Sequence, residues 1–481
     1  MTVSPRVATL RAVVVLAVVV VLQALYNVTV PLSGDEAYYW VWSHHLQAGY
    51  HDHPPGIALA IALTTRLLGD NVMGVRLAAS LCMAGTLLFI FLTARELFGE
   101  RVGWVALGLG LALPAAQVGF TLATPDAPVV LFWAAGVHFA RRAVAPVAGA
   151  GEGRWRDFLA AGLAVGLALA SKYTAVLLPA AILVFLLVRR RDLLAGPRPW
   201  AALVAAAAVF APVVWWNWRH GFDSFRFQLN HGAGQLHGFG WQSLGEYIGG
   251  QALVVSPLLF GLLAWRTASW RDWWRDDRRL FLMACLLLPL VFFLEKAVSV
   301  KVQLNWTVPA FVSAVPLLAE FVVSRRLTRT AWAGVALAVV MAAAIKWPLL
   351  FGLTGRYNPQ NRLFGPDIAA AAVEHLRRPD DALFADHLQR AALLEFHLKG
   401  HPPVHIPTHS RYSEFTRWDA GLDFRTMHGL YLADDDKLAE LRQVFPKVEL
   451  VSVVTAAKPG FRTERYYIYR VGERGSTSPS G

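Results

Sequence analysis

Apolar and polar positions alternate along the first three quarters of this chain in long blocks. Windows of roughly 20 apolar residues, the length that spans a bilayer as a helix, recur about eleven times. They fall at 7–28, 72–94, 103–120, 126–142, 157–170, 172–188, 200–217, 247–265, 280–297, 304–323 and 330–350. The boundary before Ser171-Lys172-Tyr173 divides two short segments. After about residue 352 the pattern changes to mixed charge, turn residues and short apolar alternation. There the spacing predicts a helix over Asp367–Leu376 and strands at Ala382–Ala385, Val448–Val454 and Tyr466–Val471. The expected fold is a polytopic α-helical membrane domain over 1–351, followed by a small α/β domain over 352–481. The Ser- and Gly-rich stretch Gly475–Gly481 reads as a disordered tail.

Composition agrees. Of 481 residues, 56% are hydrophobic and only 16% charged. The formal net charge of +12 would raise nucleic acid as a partner in a soluble protein. Here its distribution gives a simpler reading. Arginine clusters at 95–101, 141–156, 189–198, 266–279 and 325–329 alternate with connections poor in basic residues. By the positive-inside rule the clusters are cytoplasmic. That places the N-terminus inside and, after an odd number of crossings, the C-terminal domain outside the cytoplasmic membrane. The first segment has basic residues before it but no small-residue cleavage site after it, so it reads as an uncleaved helix. Asn27-Val28-Thr29 matches the N-glycosylation pattern, but at a helix end it reads as a chance match. Cys82 and Cys285 both lie in apolar runs, which excludes a disulfide framework or a cysteine-rich zinc site. No transporter-like internal repeat is visible.

The candidate chemistry gathers on the predicted outer side. The connection 31–71 carries Ser33-Gly34-Asp35-Glu36-Ala37-Tyr38-Tyr39-Trp40, then His44, His45 and His51-Asp52-His53-Pro54-Pro55-Gly56. Acids at a membrane boundary are costly to keep and are functional candidates. The aromatic residues suit a helix lying in the interface, and the two prolines prevent a helix where they stand. The plain alternative is a solvated amphipathic loop; the density of Asp, Glu and His argues for a site. A further acid, Asp126, lies in Thr124-Pro125-Asp126-Ala127-Pro128, where a helix N-cap is the competing reading. Outer cations are few. Lys172 and Lys301 are candidates to hold a phosphate, with snorkelling as the alternative. Arg219, Arg226, His231 and His237 occupy a Gly-rich outer loop that would serve as a lid. No phosphate-binding loop, dinucleotide fingerprint or zinc-protease helix is present, and the histidine spacing is diagnostic of no metal.

These motifs, in this order and on this side, resemble the GT-C superfamily of integral-membrane glycosyltransferases. More closely, they resemble the bacterial family 39/83 group, which includes protein O-mannosyltransferases and lipid A aminoarabinose transferases. The resemblance rests on Asp35-Glu36-Ala37-Tyr38-Tyr39-Trp40, Asp52-His53-Pro54-Pro55-Gly56 and Thr124-Pro125-Asp126-Ala127-Pro128. Ser171-Lys172-Tyr173-Thr174 and Asn305-Trp306 match less specifically. It implies a polyprenyl-phosphate sugar donor and inverting displacement. The acceptor would be an extracytoplasmic glycolipid such as lipid A, a glycan or a protein. It implies Asp35 as catalytic base, with Glu36 and Asp126 beside it in catalysis, positioning or acceptor binding. Tyr38, Asp52, His53, Lys172, Lys301 and Asn305 are then substrate-binding residues. The aminoarabinose transferases carry Glu-Lys before the two prolines, with the lysine on the lipid phosphate. Here His53 stands in its place, so Lys172, Lys301 and His53 are all candidates for the phosphate. Metal dependence varies in the superfamily, so a divalent metal stays open while no other cofactor is expected, and a monomer is expected. The competing class is a transporter or flippase of lipid-linked sugars. Such proteins place ionisable residues near the membrane midplane, whereas this chain keeps its acids in outer connections. A non-catalytic scaffold would leave the acidic connection unexplained.

Overall fold

A computed structural model describes residues 4–144, 153–233, 240–408 and 411–473. His237 and the Gly475–Gly481 tail lie outside the described residues. The chain divides into two compact units. The first comprises residues 1–27, 46–68 and 73–343, and the second residues 28–45, 69–72 and 344–481.

The helices in chain order begin with α1 (Pro5–Asn27), α2 (Gly34–His44), α3 (Gly56–Leu68), α4 (Val72–Phe98), α5 (Glu100–Ala112) and α6 (Pro114–Gly119). Then come α7 (Asp126–Val144), α8 (Trp155–Leu169), α9 (Leu177–Arg189), α10 (Arg191–Leu194), α11 (Pro197–Arg219) and α12 (Asp223–Ala233). The first unit ends with α13 (Trp241–Val255), α14 (Pro257–Ala268), α15 (Trp270–Trp274), α16 (Asp277–Ala297), α17 (Val308–Ser324) and most of α18 (Thr328–Lys346).

Among its described residues the first unit is built of helices joined by turns, with no strand. Six helical stretches among the described residues are long and apolar enough to cross a membrane: α1, α4, α11, α16, Leu304–Ser324 and α18. The pair α13 and α14 brings the number up to seven if it is one bent span. Leu304–Ser324 is 83% buried and runs through the bundle, whereas α1, α11 and α18 are 17–22% buried and present their apolar surface outward. The expected segment 103–120 is broken at Leu113, where Pro114 pushes its predecessor out of the helical region (ψ 134°). The expected segment 247–265 is likewise broken, bending 106° at Ser256 before Pro257. Ser256 has φ 95°, and its hydroxyl donates to Gly334 O at 3.1 Å. Helix α8 ends at Leu169 and a 3-10 turn over Tyr173–Val176 leads into α9, so the Ser171-Lys172 break stands where the sequence places it.

The connection 31–71 contains two helices: α2, over the aromatic run expected to suit one, and the apolar α3, where a loop was expected. A capping box starts α2: the Ser33 hydroxyl accepts from Glu36 N, and Glu36 accepts from Ser33 N at 2.9 Å. Pro54 and Pro55 stay outside both helices.

The second unit holds α2, α19 (Pro366–Leu376), α20 (Leu388–His397), α21 (Glu414–Trp418) and α22 (Leu438–Val444) with a five-stranded sheet. Its strands are β1 (Ala382–Ala385), β2 (Val404–His405), β3 (Gly429–Ala433), β4 (Val448–Ala456) and β5 (Glu464–Val471), in spatial order β2-β1-β3-β5-β4. β1 runs parallel to β2 and β3, while β5 runs antiparallel to β3 and β4. Register pairs Leu383 with Leu430 and Leu432 with Ile468, and Phe384, Tyr431 and Tyr469 fill a core with Leu441 of α22 and Phe445 just after it.

Candidate active site

In the first unit, three sequence-predicted residues meet. Asp126 opens α7 and its two carboxylate oxygens take different partners. Lys172 Nζ donates to Oδ1 at 2.7 Å and Asn305 Nδ2 donates to Oδ2 at 2.7 Å. The Lys172 side chain is 8% exposed and that of Asp126 is 20% exposed. Each comes from an interruption between apolar helices. Asp126 follows the Thr124-Pro125 turn, Lys172 the end of α8, and Asn305 lies in a 3-10 turn before α17. Helix ends leave backbone groups and side chains pointing out of the bundle, which is why such breaks carry chemistry.

The turn with the two prolines docks on this cluster's framework. Gly56 N donates to Ala170 O at 2.9 Å. A Cβ on Gly56 would lie 2.5 Å from Ser171 Oγ and 2.8 Å from Ser171 Cα, so only glycine permits that approach. Tyr50 N donates to His53 O across the turn at 3.1 Å. Helix α12 holds it from the other side. His51 Nδ1 lies 2.8 Å from Asp223 Oδ2, and Gln228 Nε2 donates to Asp52 O at 2.5 Å. Tyr173, next to Lys172, donates to Ser224 Oγ at 2.9 Å and accepts from Asn217 Nδ2 at 3.2 Å. Asp52 and His51 are buried and His53 is half-buried. The expected lid segment therefore contributes an ordered helix whose Asp223, Ser224 and Gln228 brace the site. Lys301 does not join the cluster's partners. It is exposed and lies 3.5 Å from Glu246 Oε2.

In the second unit, Asp35 and Glu36 occupy the first turn of α2, the end of a helix that favours anions. Glu36 is fully buried in the capping box, whereas Asp35 is exposed. Gln389 Nε2 donates to Asp35 Oδ1 at 2.6 Å. Tyr38 is buried; its hydroxyl accepts from Glu414 N at 3.1 Å and its ring stacks on Phe415. Trp40 Nε1 donates to Asp70 Oδ1 at 2.8 Å, and His44 Nε2 lies 3.3 Å from the same oxygen. The aromatic run thus anchors α2 inside its unit.

Two acidic groups have metal-compatible spacing among the described residues: Asp380, Asp381 and His428, and Asp386, Asp434 and Asp435. Neither contains a predicted site residue. Each already faces a guanidinium: Arg470 on Asp381, and Arg390 on Asp386 and Asp434.

The sequence readings missed Asp223, Gln228, Asn217 and Gln389. Asp223 had one usable signal: in Gly221-Phe222-Asp223-Ser224 a turn-forming glycine comes shortly before an acid at the start of a helix. Gln389 had none, since its partner lies 354 positions away.

Residues 52–216 match a family model described as dolichyl-phosphate-mannose-protein mannosyltransferase. Lipid A galacturonosyltransferase RgtD of Rhizobium johnstonii is 30% identical over 373 residues, covering 74% of this chain and 70% of that protein. An undecaprenyl phosphate-alpha-4-amino-4-deoxy-L-arabinose arabinosyl transferase of Pseudomonas aeruginosa is 31% identical over 284 residues, 54% of this chain and 48% of that one. Among solved structures, ArnT from Cupriavidus metallidurans bound to undecaprenyl phosphate superposes with a TM-score of 0.70 at 16% identity, covering 95% and 97% of the two chains. That likeness concerns the fold. With the motifs and the helical architecture above, these matches place the chain in a family: it belongs to the GT-C integral-membrane glycosyltransferases that include lipid A galacturonosyltransferase RgtD.

Proposed function

We propose that this glycosyltransferase moves a sugar from a polyprenyl phosphate to lipid A or a closely related glycolipid outside the cytoplasmic membrane, acting as a monomer. The donor chemistry and acceptor class follow the relatives' names. The observation that carries the reading is the Asp126–Lys172–Asn305 cluster, in which a largely buried ammonium sits at a helix break beside an acid. About eleven crossings, with the N-terminus inside and the C-terminal domain over 352–481 outside, complete the reading.

A sugar on a lipid phosphodiester has its leaving group already activated. What remains is to deprotonate the acceptor and stabilise the departing phosphate. Asp35 is the base: it takes the acceptor hydroxyl proton as that oxygen bonds to the anomeric carbon. The bond from anomeric carbon to phosphate oxygen breaks, its electron pair leaves with the polyprenyl phosphate, and the configuration inverts. The monoester gains negative charge, which Lys172 and His53 offset. Asp126 and Asn305 orient Lys172 and meet sugar hydroxyls, Asp52 supports the turn that presents His53, and Glu36 and Tyr38 fix α2.

The test uses purified protein in lipid nanodiscs, lipid A as acceptor and three donors: undecaprenyl phosphate carrying galacturonate, 4-amino-4-deoxyarabinose or mannose. One donor should support transfer in the native chain, and Asp35→Asn should abolish it. Undiminished transfer by Asp35→Asn would sink the base assignment; transfer to a peptide but not to lipid A would sink the acceptor class.

A further inference from the structure

Asp35 is not held by its own helix alone. Gln389 lies in the first turn of α20, and its amide donates to Asp35 Oδ1 at 2.6 Å. Three features fix where that amide stands. His387 is the N-cap of α20, and its Nδ1 accepts from Gln389 N at 3.4 Å, which holds the backbone. Gly34, beside Asp35, packs against the Gln389 stem; a Cβ there would lie 2.5 Å from Gln389 Cβ. Arg390, the next residue, is tied to Asp386 and Asp434 at 2.6 and 2.8 Å. The start of α20 is thus pinned on both sides of the glutamine.

We infer that Gln389 is a positioning residue for the Asp35 carboxylate, setting which oxygen is presented to the acceptor hydroxyl; the inference rests on Asp35 being the base. The terminal torsion of an aspartate is broad and roughly two-fold. A donor on Oδ1 removes that freedom and directs Oδ2. Both side chains are exposed, so the bond adds little to stability, and a purely structural role would leave little for it to do. On α20 itself, Arg390 is tied to Asp386, Glu395 is buried with a hydrogen bond from the Val404 backbone, and His397 is a half-buried ring whose burial favours the neutral form; the remaining charged groups near α2 have partners of their own. Glu36 closes the capping box, Glu414 faces Arg417 at 3.2 Å, and Asp70 takes Trp40 and His44.

The experiment compares the full chain with Gln389→Met, Gln389→Glu and Asp35→Asn in nanodiscs. It uses whichever of the three undecaprenyl-phosphate donors the native protein turns over fastest, and records kcat, KM, the pH profile and Tm. Gln389→Met keeps the stem against Gly34 but loses the donor, so kcat should fall about 10- to 100-fold with KM within about twofold. Gln389→Glu sets a like charge beside the base, so the acid limb of the rate profile should move up by about one pH unit. An inactive Asp35→Asn together with native kcat in Gln389→Met, or with an unmoved acid limb in Gln389→Glu, overturns the inference and leaves the base reading standing. A lowered Tm with kcat and acid limb unchanged overturns it too. If Gln389→Glu fails to fold, the kcat and KM of Gln389→Met decide. An active Asp35→Asn removes the base reading, and this inference falls with it.

Discussion

Lys172 Nζ stands 2.7 Å from Asp126 Oδ1, and the lysine is the more deeply buried of the two. The pair is therefore asymmetric. Removing the acid leaves a buried ammonium without its counter-charge; removing the lysine leaves a carboxylate that water partly reaches and Asn305 still donates to. Asp126→Ala should cost roughly 3 kcal/mol, in the range for a broken buried pair, and Lys172→Met roughly 1–2 kcal/mol. Activity should rank differently. If Lys172 meets the donor phosphate, Lys172→Met raises the donor KM at least about tenfold. The double variant Asp126→Asn with Lys172→Met should recover most of the lost Tm and none of the activity. Melting curves and donor titrations on the same preparations check both halves.

The approach of Gly56 to Ser171 gives a second prediction. Adding one methyl at Gly56 sets it 2.8 Å from Ser171 Cα, a backbone atom that cannot swing aside. The turn carrying Asp52 and His53 must then shift relative to Lys172. Gly56→Ala should lower kcat/KM by about 100-fold, the scale expected for a displacement near 1 Å. The measurement is transfer kinetics alongside Tm. A native rate would mean that the register of these two turns does not matter to the reaction.

Metal removal separates two sources of positive charge. Both oxygens of Asp126 already have donors, and the two acidic groups with metal-compatible spacing among the described residues face Arg470 and Arg390. On the reading that Lys172 and His53 balance the phosphate, dialysis against EDTA should leave the transfer rate within about twofold of the untreated enzyme. Loss on chelation with recovery on adding back one divalent ion would replace that reading with a metal-assisted one.

What could be read from the sequence divides along physical lines. Apolar runs located most of the long helices, though not α3 or the breaks at Leu113 and Ser256, and in the second unit the pattern located the helix before β1 together with β1, β4 and β5. These carry strong local patterns. It missed β2, which has only two residues, and β3, whose five residues are all buried and show no alternation. In the connection 31–71 the aromatic run suits a helix, and α2 stands there, but the apolar α3 reads as loop because its 13 residues are shorter than a membrane-spanning window. Of the site, Asp126, Lys172 and Asn305 were recognisable as ionisable or polar residues at breaks between apolar runs. Their mutual contact was not, and neither were the braces from Asp223 and Gln228. Those depend on chain separations of 46 to 179 residues, over which a single sequence carries no distance information.

Glu395 makes the second unit's stability depend on pH. It lies on α20, is 8% exposed, and burial pushes its pKa up to about 8, against the opposing pull of a hydrogen bond from the Val404 backbone. The folded unit therefore holds a proton that the unfolded chain releases near pH 4.5. Where the folded state binds more protons, stability falls as pH rises. The Glu395 contribution is fully present below about pH 4.5 and is lost progressively as pH climbs toward 8, by at most about 1.4 kcal/mol per unit. His397 on the same helix works in the opposite sense, since burial lowers its pKa and favours the neutral ring. The wild-type profile is thus a mixture, and Glu395→Gln isolates the carboxyl. That variant should match the native protein near pH 4.5 and exceed it by a few kcal/mol at pH 8. Hydrogen exchange at the amides of β1 and β2 across that range reads the difference locally. Identical protection in both proteins at pH 8 would show that Glu395 finds a charge-stabilising environment in the folded unit.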